Sequence, residues 1–323
     1  MAAGLLKAPS LTDCLKAQER RNRCTGLFIS MTTSPPRLSI VLPAKNEAQS
    51  LGVLLAEIAR LHPMAELVVV DDGSADATFQ VAADAGARVV RHPYSMGNGA
   101  AIKSGARAAK GEILVFMDAD GQHDPQDIAL LIARLDEGYD MAVGARQAGS
   151  QANLGRGLAN GFYNWFASLM VGQRIEDLTS GFRAVRADKF REFLYLFPNG
   201  FSYPTTVTMS FFRAGYPVAY VPIHAGKRTG KSHLRPIRDG IRFLLIIFKV
   251  GTLYSPLKIF LPIAALQGAA GLGYYAHTYL STGRLTLGTI LLLSSALTIF
   301  LIGLVSEQIT QLMYRGTSGN SHG

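Results

Sequence analysis

At 323 residues the chain is long enough for one large domain or two small ones. Its two cysteines, Cys14 and Cys24, have no histidine partners nearby, which leaves a zinc site and a disulfide framework without support. The formal net charge of +9 points to anionic partners, yet no aromatic-basic repeat or recognised motif directs that charge to nucleic acid.

The leader, 1–36, has a short apolar run from Gly26 to Met31 behind Arg20, Arg21 and Arg23. That is neither a signal peptide nor a span, so a disordered or loosely membrane-associated segment is expected. From Arg37 the pattern alternates. Leu38 to Leu42 predicts a strand, and Ala48 to Leu61 places Leu51, Leu54, Leu55, Ile58 and Leu61 at helical spacing. Strands follow at Leu67 to Val70, Arg88 to Arg91, Ile113 to Met117 and Asp140 to Gly144. Helices are expected at Asp76 to Ala85, Ala100 to Ala109 and Gln126 to Leu135 between them. Repeated strand-helix units imply an α/β fold with a doubly wound, mostly parallel sheet.

The strand ends are polar. The fourth runs into Asp118-Ala119-Asp120-Gly121-Gln122-His123-Asp124, the second into Asp71-Asp72-Gly73-Ser74, the first into Pro43-Ala44-Lys45-Asn46-Glu47. Asp118 and Asp120 suit a hard divalent cation, which takes one or two carboxylates together with substrate phosphates; as single residues they equally suit a turn and helix cap. Ligands of open α/β sheets bind at the carboxyl ends of the strands, where all three loops would lie. Gly97-Asn98-Gly99 is a weak match to a dinucleotide fingerprint, because Ile102 stands where the third glycine belongs. His123 is more simply a structural hydrogen-bonding residue than a ligand.

Beyond Arg146, Leu154 to Val171 predicts a long aromatic-rich helix with Phe162, Tyr163, Trp165 and Phe166, as core or membrane-facing surface. Asp177 to Arg183 forms a polar turn before a short strand. Thr206 to Arg213 predicts a helix, Val218 to Pro222 a strand, and Pro236 to Tyr254 an interfacial helix. Ile259 to Leu280 and Leu285 to Val305 carry no acid and only apolar or uncharged residues, each long enough to cross a bilayer. A buried soluble hairpin would use shorter helices. The basic residues Lys227, Arg228, Lys231, Arg235, Arg238, Arg242, Lys249 and Lys258 precede the spans, against Arg284 alone between them, so the catalytic bulk and both termini are expected in the cytoplasm. The expected divisions are a leader at 1–36, a catalytic domain at 37–232, a juxtamembrane helix at 233–257, two spans at 258–312 and a tail at 313–323.

In this order the motifs resemble the family 2 glycosyltransferases, and within them the polyprenyl-phosphate enzymes related to dolichol-phosphate mannose synthase. The residues that carry the resemblance are Pro43 to Glu47, Asp71 to Ser74, Gly97 to Ile102, Asp118 to His123, Thr179 to Arg183 and Arg228 to Ser232. The resemblance implies a GT-A type fold, a UDP- or GDP-linked sugar donor, Mg²⁺ or Mn²⁺, a polyprenyl phosphate acceptor, and inversion at the anomeric carbon. Pro43, Ala44, Asn46, Glu47 and Asp72 would line the donor nucleotide, with Lys103 and Arg146 close by, and Asp118, Asp120 and Gln122 would hold the cation against the diphosphate. Asp177 is the candidate base, but a lipid phosphate with a second pKa near ~6 is already largely a dianion, so a positioning role fits better. Arg183, Arg228 and Lys231 are the candidate acceptor-phosphate cations, Arg228 beside the reacting centre. A different acceptor, such as a cell-envelope polysaccharide or glycolipid, stays open, as do self-association and a non-catalytic membrane scaffold. A processive synthase would need a Gln-x-x-Arg-Trp motif, and the one tryptophan, Trp165, follows Asn164.

Overall fold

The computed structural model describes residues 36–146, 154–200, 203–223, 245, 248–249, 251–252 and 255–315. The expected leader, the basic turn with Arg228 and Lys231, and most of the expected juxtamembrane helix fall outside the described residues.

Seven strands form one sheet in the order β3-β2-β1-β4-β6-β5-β7: β1 Leu38–Ala44, β2 Glu66–Asp71, β3 Arg88–Arg91, β4 Ile113–Phe116, β5 Met141–Arg146, β6 Arg183–Arg186 and β7 Val218–Ile223. Every pairing is parallel except those of β6 with β4 and β5. Alternate side chains enter opposite cores, as the period of a strand requires. Ile40, Leu42, Val69 and Val115 pack with α1 Ala48–Leu61, α2 Thr78–Asp84 and α4 Asp127–Asp136. Val41, Val68, Val70, Leu114 and Phe116 pack on the other face with α3 Asn98–Ala108, α6 Ala187–Arg191 and α7 Tyr203–Ala214. This is the expected doubly wound arrangement, with near-continuous apolar strands because both faces are covered.

The antiparallel β6 has a topological cause. The helix after β5, α5 Leu154–Val171, does not return across the sheet; it joins a third apolar cluster in which Ala167 and Met170 meet Leu178, Met209 and Ile259. The chain therefore re-enters at the edge it left. The Asp177–Phe182 turn, although it precedes its strand, reaches the same edge as the loops that follow β1, β2, β4 and β5.

Two helices close the chain, α8 Pro256–Thr282 and α9 Leu287–Arg315, each long and apolar enough to cross a membrane. At 1.5 Å per residue both reach about 40 Å, beyond the ~30 Å of hydrocarbon. They form an antiparallel hairpin. Gln267 Nε2 donates to Ser295 Oγ at 2.7 Å midway along it, and a Cβ at Gly303 would stand 2.6 Å from Phe260 Cβ. Small residues at such crossings let helix backbones approach. At the foot, Glu307 Oε2 accepts the Leu257 N–H at 3.4 Å and Oε1 lies 3.9 Å from Arg213 on α7. Lys258 Nζ donates to the Met170 carbonyl at 2.9 Å, joining α8 to the end of α5.

Candidate active site

At the carboxyl edge of the sheet a cavity of about 450 Å³ is lined by Pro43, Ala44, Lys45 and Glu47 after β1, Asp72 after β2, Ser95, Gly97, Asn98 and Ala101 before and within α3, and Asp118, Ala119 and Asp120 after β4. Three polar loops that are far apart in sequence thus share one hollow. Of the expected donor residues, Pro43, Ala44, Glu47, Asp72 and Asp118 line it; Asn46, Lys103 and Arg146 do not. Lys45, Ser95, Asn98 and Ala101 join it without having been singled out.

Asp72 is nearly buried and organises this wall rather than offering an open carboxylate. Its Oδ1 accepts from His92 Nδ1 at 2.7 Å and the Met96 N–H at 2.8 Å; its Oδ2 accepts from Ser95 Oγ at 2.8 Å and the Gly97 N–H at 3.0 Å. A carboxylate has about four acceptor sites, and the chain itself supplies four donors, so Asp72 is fixed in place within the wall. Burial alone would raise the Asp72 carboxyl, but these hydrogen bonds outweigh it and hold the group below the usual carboxylate range. His92 in turn reaches Ser104 Oγ on α3 at 2.9 Å, and Lys45 Nζ donates to Ser95 Oγ at 2.9 Å. His92 had no motif to mark it; only the fold reveals it.

Asn46 has φ 57°, the one positive value among described non-glycine residues. It stitches the β1 loop to the β2 loop: its Oδ1 accepts the Ala75 N–H at 2.8 Å and its own N–H donates to Ser74 Oγ at 3.0 Å. Lys103 turns away from the cavity and binds the Phe197 carbonyl, at 3.1 Å, and Asn199 Oδ1. The glycines before α3 serve the same neighbour. A Cβ at Gly99 would stand 2.0 Å from the Pro198 carbonyl oxygen, and Gly97 has φ 101° with Asn199 O 2.6 Å from its would-be Cβ. The Gly99 and Ala100 N–H groups donate to the carbonyls of Gly200 and Asn199. The close approach is thus to the 198–200 backbone.

Asp118 and Asp120 are both half-buried in the cavity wall. The Gln122 N–H donates to Asp120 Oδ1 at 3.1 Å across Gly121, whose φ is 72°, shaping the loop as a tight Asx turn. Among the described residues no three His, Cys, Asp or Glu side chains stand together as a complete metal cage. The two carboxylates in a roomy cavity fit a hard cation that draws its remaining ligands from a phosphate-bearing substrate and water. His123 stacks on Phe182 with ring centroids 4.9 Å apart, buried, its Nδ1 without a protein partner. Burial pushes the imidazole down to about 4, against the pull of Asp120.

On the far side of Asp118 lies the turn before β6. A Cβ at Gly181 would stand 3.0 Å from Asp118 Oδ2, so glycine lets this turn close on the carboxylate without displacing it. Arg146, at the end of β5, grips Asp177 with Nε to Oδ2 at 2.8 Å and Nη2 to Oδ1 at 3.0 Å, and also binds Thr179 Oγ1. Asp177 accepts the Thr179 and Ser180 N–H groups as well. Burial opposes its charge, but the Arg146 hydrogen bonds prevail and hold it below the usual range, which argues against a base. Arg183, expected at the acceptor phosphate, points into the protein. It is wholly enclosed, donating to the Ser180 and Pro204 carbonyls and Thr208 Oγ1 beside the Tyr203 ring, which is a core position rather than an exposed one.

Residues 39–194 match the family model described as glycosyl transferase family 2, and residues 255–312 match that of the GtrB C-terminal hairpin. The chain is 30% identical over 250 residues to glycosyltransferase AglJ of Haloferax volcanii, covering 74% of this chain and 80% of that one. It is 29% identical to the dolichyl-phosphate hexose transferase of the same organism, over 66% of this chain and 93% of that one. The undecaprenyl-phosphate mannosyltransferase of Micrococcus luteus is 29% identical, over 58% and 82% respectively. Among solved structures, glucosyl-3-phosphoglycerate synthase from Mycobacterium tuberculosis with Mn²⁺ and UDP-glucose superposes with a TM-score of 0.51 at 26% identity, over 66% of this chain and 79% of that one. The chain belongs to glycosyl transferase family 2 and is a GT-A type glycosyltransferase with a C-terminal membrane hairpin of the GtrB kind.

Proposed function

We propose that the protein moves a sugar from a nucleoside diphosphate to a polyprenyl phosphate at the cytoplasmic membrane face, with inversion. The observation that carries this is the acidic pair Asp118 and Asp120 in a nucleotide-sized cavity on a domain joined to two membrane helices. The names of the relatives, which transfer hexose or mannose to dolichyl or undecaprenyl phosphate, support the acceptor. The Mn²⁺ and UDP-glucose of the solved relative support a metal-assisted donor; Mg²⁺ and GDP are the other members of each pair.

Asp118 and Asp120, with Gln122 beside them, are the residues that would hold the cation. When bound, such a cation neutralises charge developing on the departing diphosphate. Pro43, Ala44 and Glu47 form the donor floor, and Asp72 keeps the Ser95–Gly97 wall in place. An acceptor phosphate oxygen bonds to the anomeric carbon as the bond to the diphosphate oxygen breaks. No proton need be removed, because a phosphate monoester is largely dianionic at neutral pH, with a pKa of about 6. Asp177 and Arg146 then shape the sugar-side wall. Arg228 and Lys231 remain assigned to the acceptor phosphate from sequence, as does the cytoplasmic orientation.

The test is incubation of the purified protein with UDP- and GDP-sugars, Mg²⁺ or Mn²⁺ and undecaprenyl phosphate. A metal-dependent glycolipid is expected. Absence of product from every donor, or full activity after Asp120→Ala, refutes the reading.

A further inference from the structure

Asp118 is held between the cavity and a turn. Its main chain leaves β4 with the Met117 N–H donating to the Val41 carbonyl at 3.2 Å, so the strand end is fixed. Its carboxylate faces Gly181, with Oδ2 3.0 Å from where a Cβ on that residue would stand. Behind the turn lies Tyr203, the first residue of α7 and 1% exposed. Its hydroxyl donates to the Gly181 carbonyl at 2.9 Å, and Arg183, whose Cζ lies 5.6 Å from the Tyr203 ring centroid, donates to the Ser180 carbonyl. The same ring meets Phe116, the last residue of β4, edge-on at 6.3 Å between centroids. One side chain thus touches both the strand that delivers Asp118 and the turn that its carboxylate faces.

We propose that Tyr203 is a positioning residue of the cation site, setting Asp118 through Gly181 without touching substrate. A buried tyrosine hydroxyl needs a partner, and any core carbonyl would satisfy it. Here the partner is the carbonyl of the residue packed against a cavity carboxylate. The Ser180 and Gly181 oxygens are committed to donors in the core, so they do not turn toward Asp118, whose charge they would oppose. Carboxylates that hold a metal are themselves oriented by an outer layer of groups, and losing one such group typically costs 10–100-fold in metal affinity. Tyr203 acts one residue further out than a direct partner, which places its effect at about tenfold, the lower end of that range. The inference rests on the assignment of Asp118 to the cation.

Tyr203→Phe removes only the hydroxyl and keeps the ring against Phe116 and Arg183. The full-length protein in detergent is titrated with Mn²⁺ at saturating UDP or GDP, and free Mn²⁺ is read by electron paramagnetic resonance; nucleotide binding without metal is read separately by calorimetry in EDTA. The expected result is an apparent Mn²⁺ Kd raised about tenfold, with metal-free nucleotide binding unchanged. Wild-type Mn²⁺ affinity in the folded variant overturns the inference, as does a loss shared equally with metal-free nucleotide binding, and Tyr203 is then a core residue only. Should Tyr203→Phe not fold, Gly181→Ala decides the question from the other side of the contact. Its methyl stands 3.0 Å from Asp118 Oδ2 and should weaken Mn²⁺ by a similar factor; wild-type affinity there overturns the inference. A wild-type protein that takes up no Mn²⁺ removes the cation assignment and this inference with it, an outcome distinct from variants that match a wild type that binds.

Discussion

Arg146 and Asp177 face each other through two parallel hydrogen bonds of 2.8 and 3.0 Å, one from the end of a parallel strand and one from the turn before an antiparallel one. The pair ties together the two segments that flank α5. It also commits the carboxylate to its charged form.

Asp177→Asn should therefore act on architecture and positioning. Losing one partner of a largely buried pair costs about 3 kcal/mol, read as a lower Tm, and kcat should fall roughly tenfold as Arg146 and the Thr179 turn loosen. Its folded pKa lies below the usual 3.8, so the stabilisation is complete above that value and disappears as pH falls through the lower, folded one. The Tm gap between wild type and variant should be flat from about pH 8 to 5 and close below about pH 4. A pH-rate profile whose acid limb vanishes in the variant would instead make Asp177 a base.

Asp118→Ala and Asp120→Ala should each lower turnover by two to three orders of magnitude, about 3–4 kcal/mol of transition-state stabilisation. Both sit half-buried at the cavity, so Tm should change by only a few degrees. Calorimetric titration with Mn²⁺ and UDP should lose its metal-dependent heat in both variants.

Arg183→Met separates a core role from an acceptor role. It leaves the Ser180 and Pro204 carbonyls and Thr208 without their donor, at about 1–3 kcal/mol for each buried group that finds no water. A large fall in Tm with an unchanged acceptor KM in the folded fraction is expected. An unchanged Tm with a raised acceptor KM would return Arg183 to the phosphate.

Gly99→Ala places a methyl where the Pro198 carbonyl oxygen now stands, at 2.0 Å. Displacing the 198–200 backbone should cost about 1–3 kcal/mol. Because Gly97, Asn98 and Ala101 line the cavity, the donor KM should rise together with the loss of stability. A donor KM that stays fixed would uncouple the loop from the site.

Most elements were legible because the buried strands and helices obey their periods. Ala48–Leu61 and Arg88–Arg91 have the expected limits, as does α5, and the two apolar runs are the hairpin. The antiparallel β6 was not legible, since a strand of four residues carries no direction in its composition. Asp118, Asp120, Glu47 and Asp72 announced themselves by their loops at strand ends. The inward turn of Arg183 and Lys103 did not, because a basic residue beside a glycine-rich loop looks the same whether it faces phosphate or backbone carbonyls. His92 escaped notice for a related reason: its partners Asp72 and Ser104 meet it only through the sheet order.

The carbonyls of Asn199 and Gly200 that stopper the start of α3 bear on how this fold manages charge. In dinucleotide-binding folds the free N–H groups of such a helix, and its dipole, cradle the pyrophosphate. Here two of those donors, the Gly99 and Ala100 N–H groups, are spent on the chain's own backbone. Two of the N–H groups that could meet a donor phosphate are thus already engaged, and the charge of such a donor falls to side chains and to a cation that arrives with the substrate.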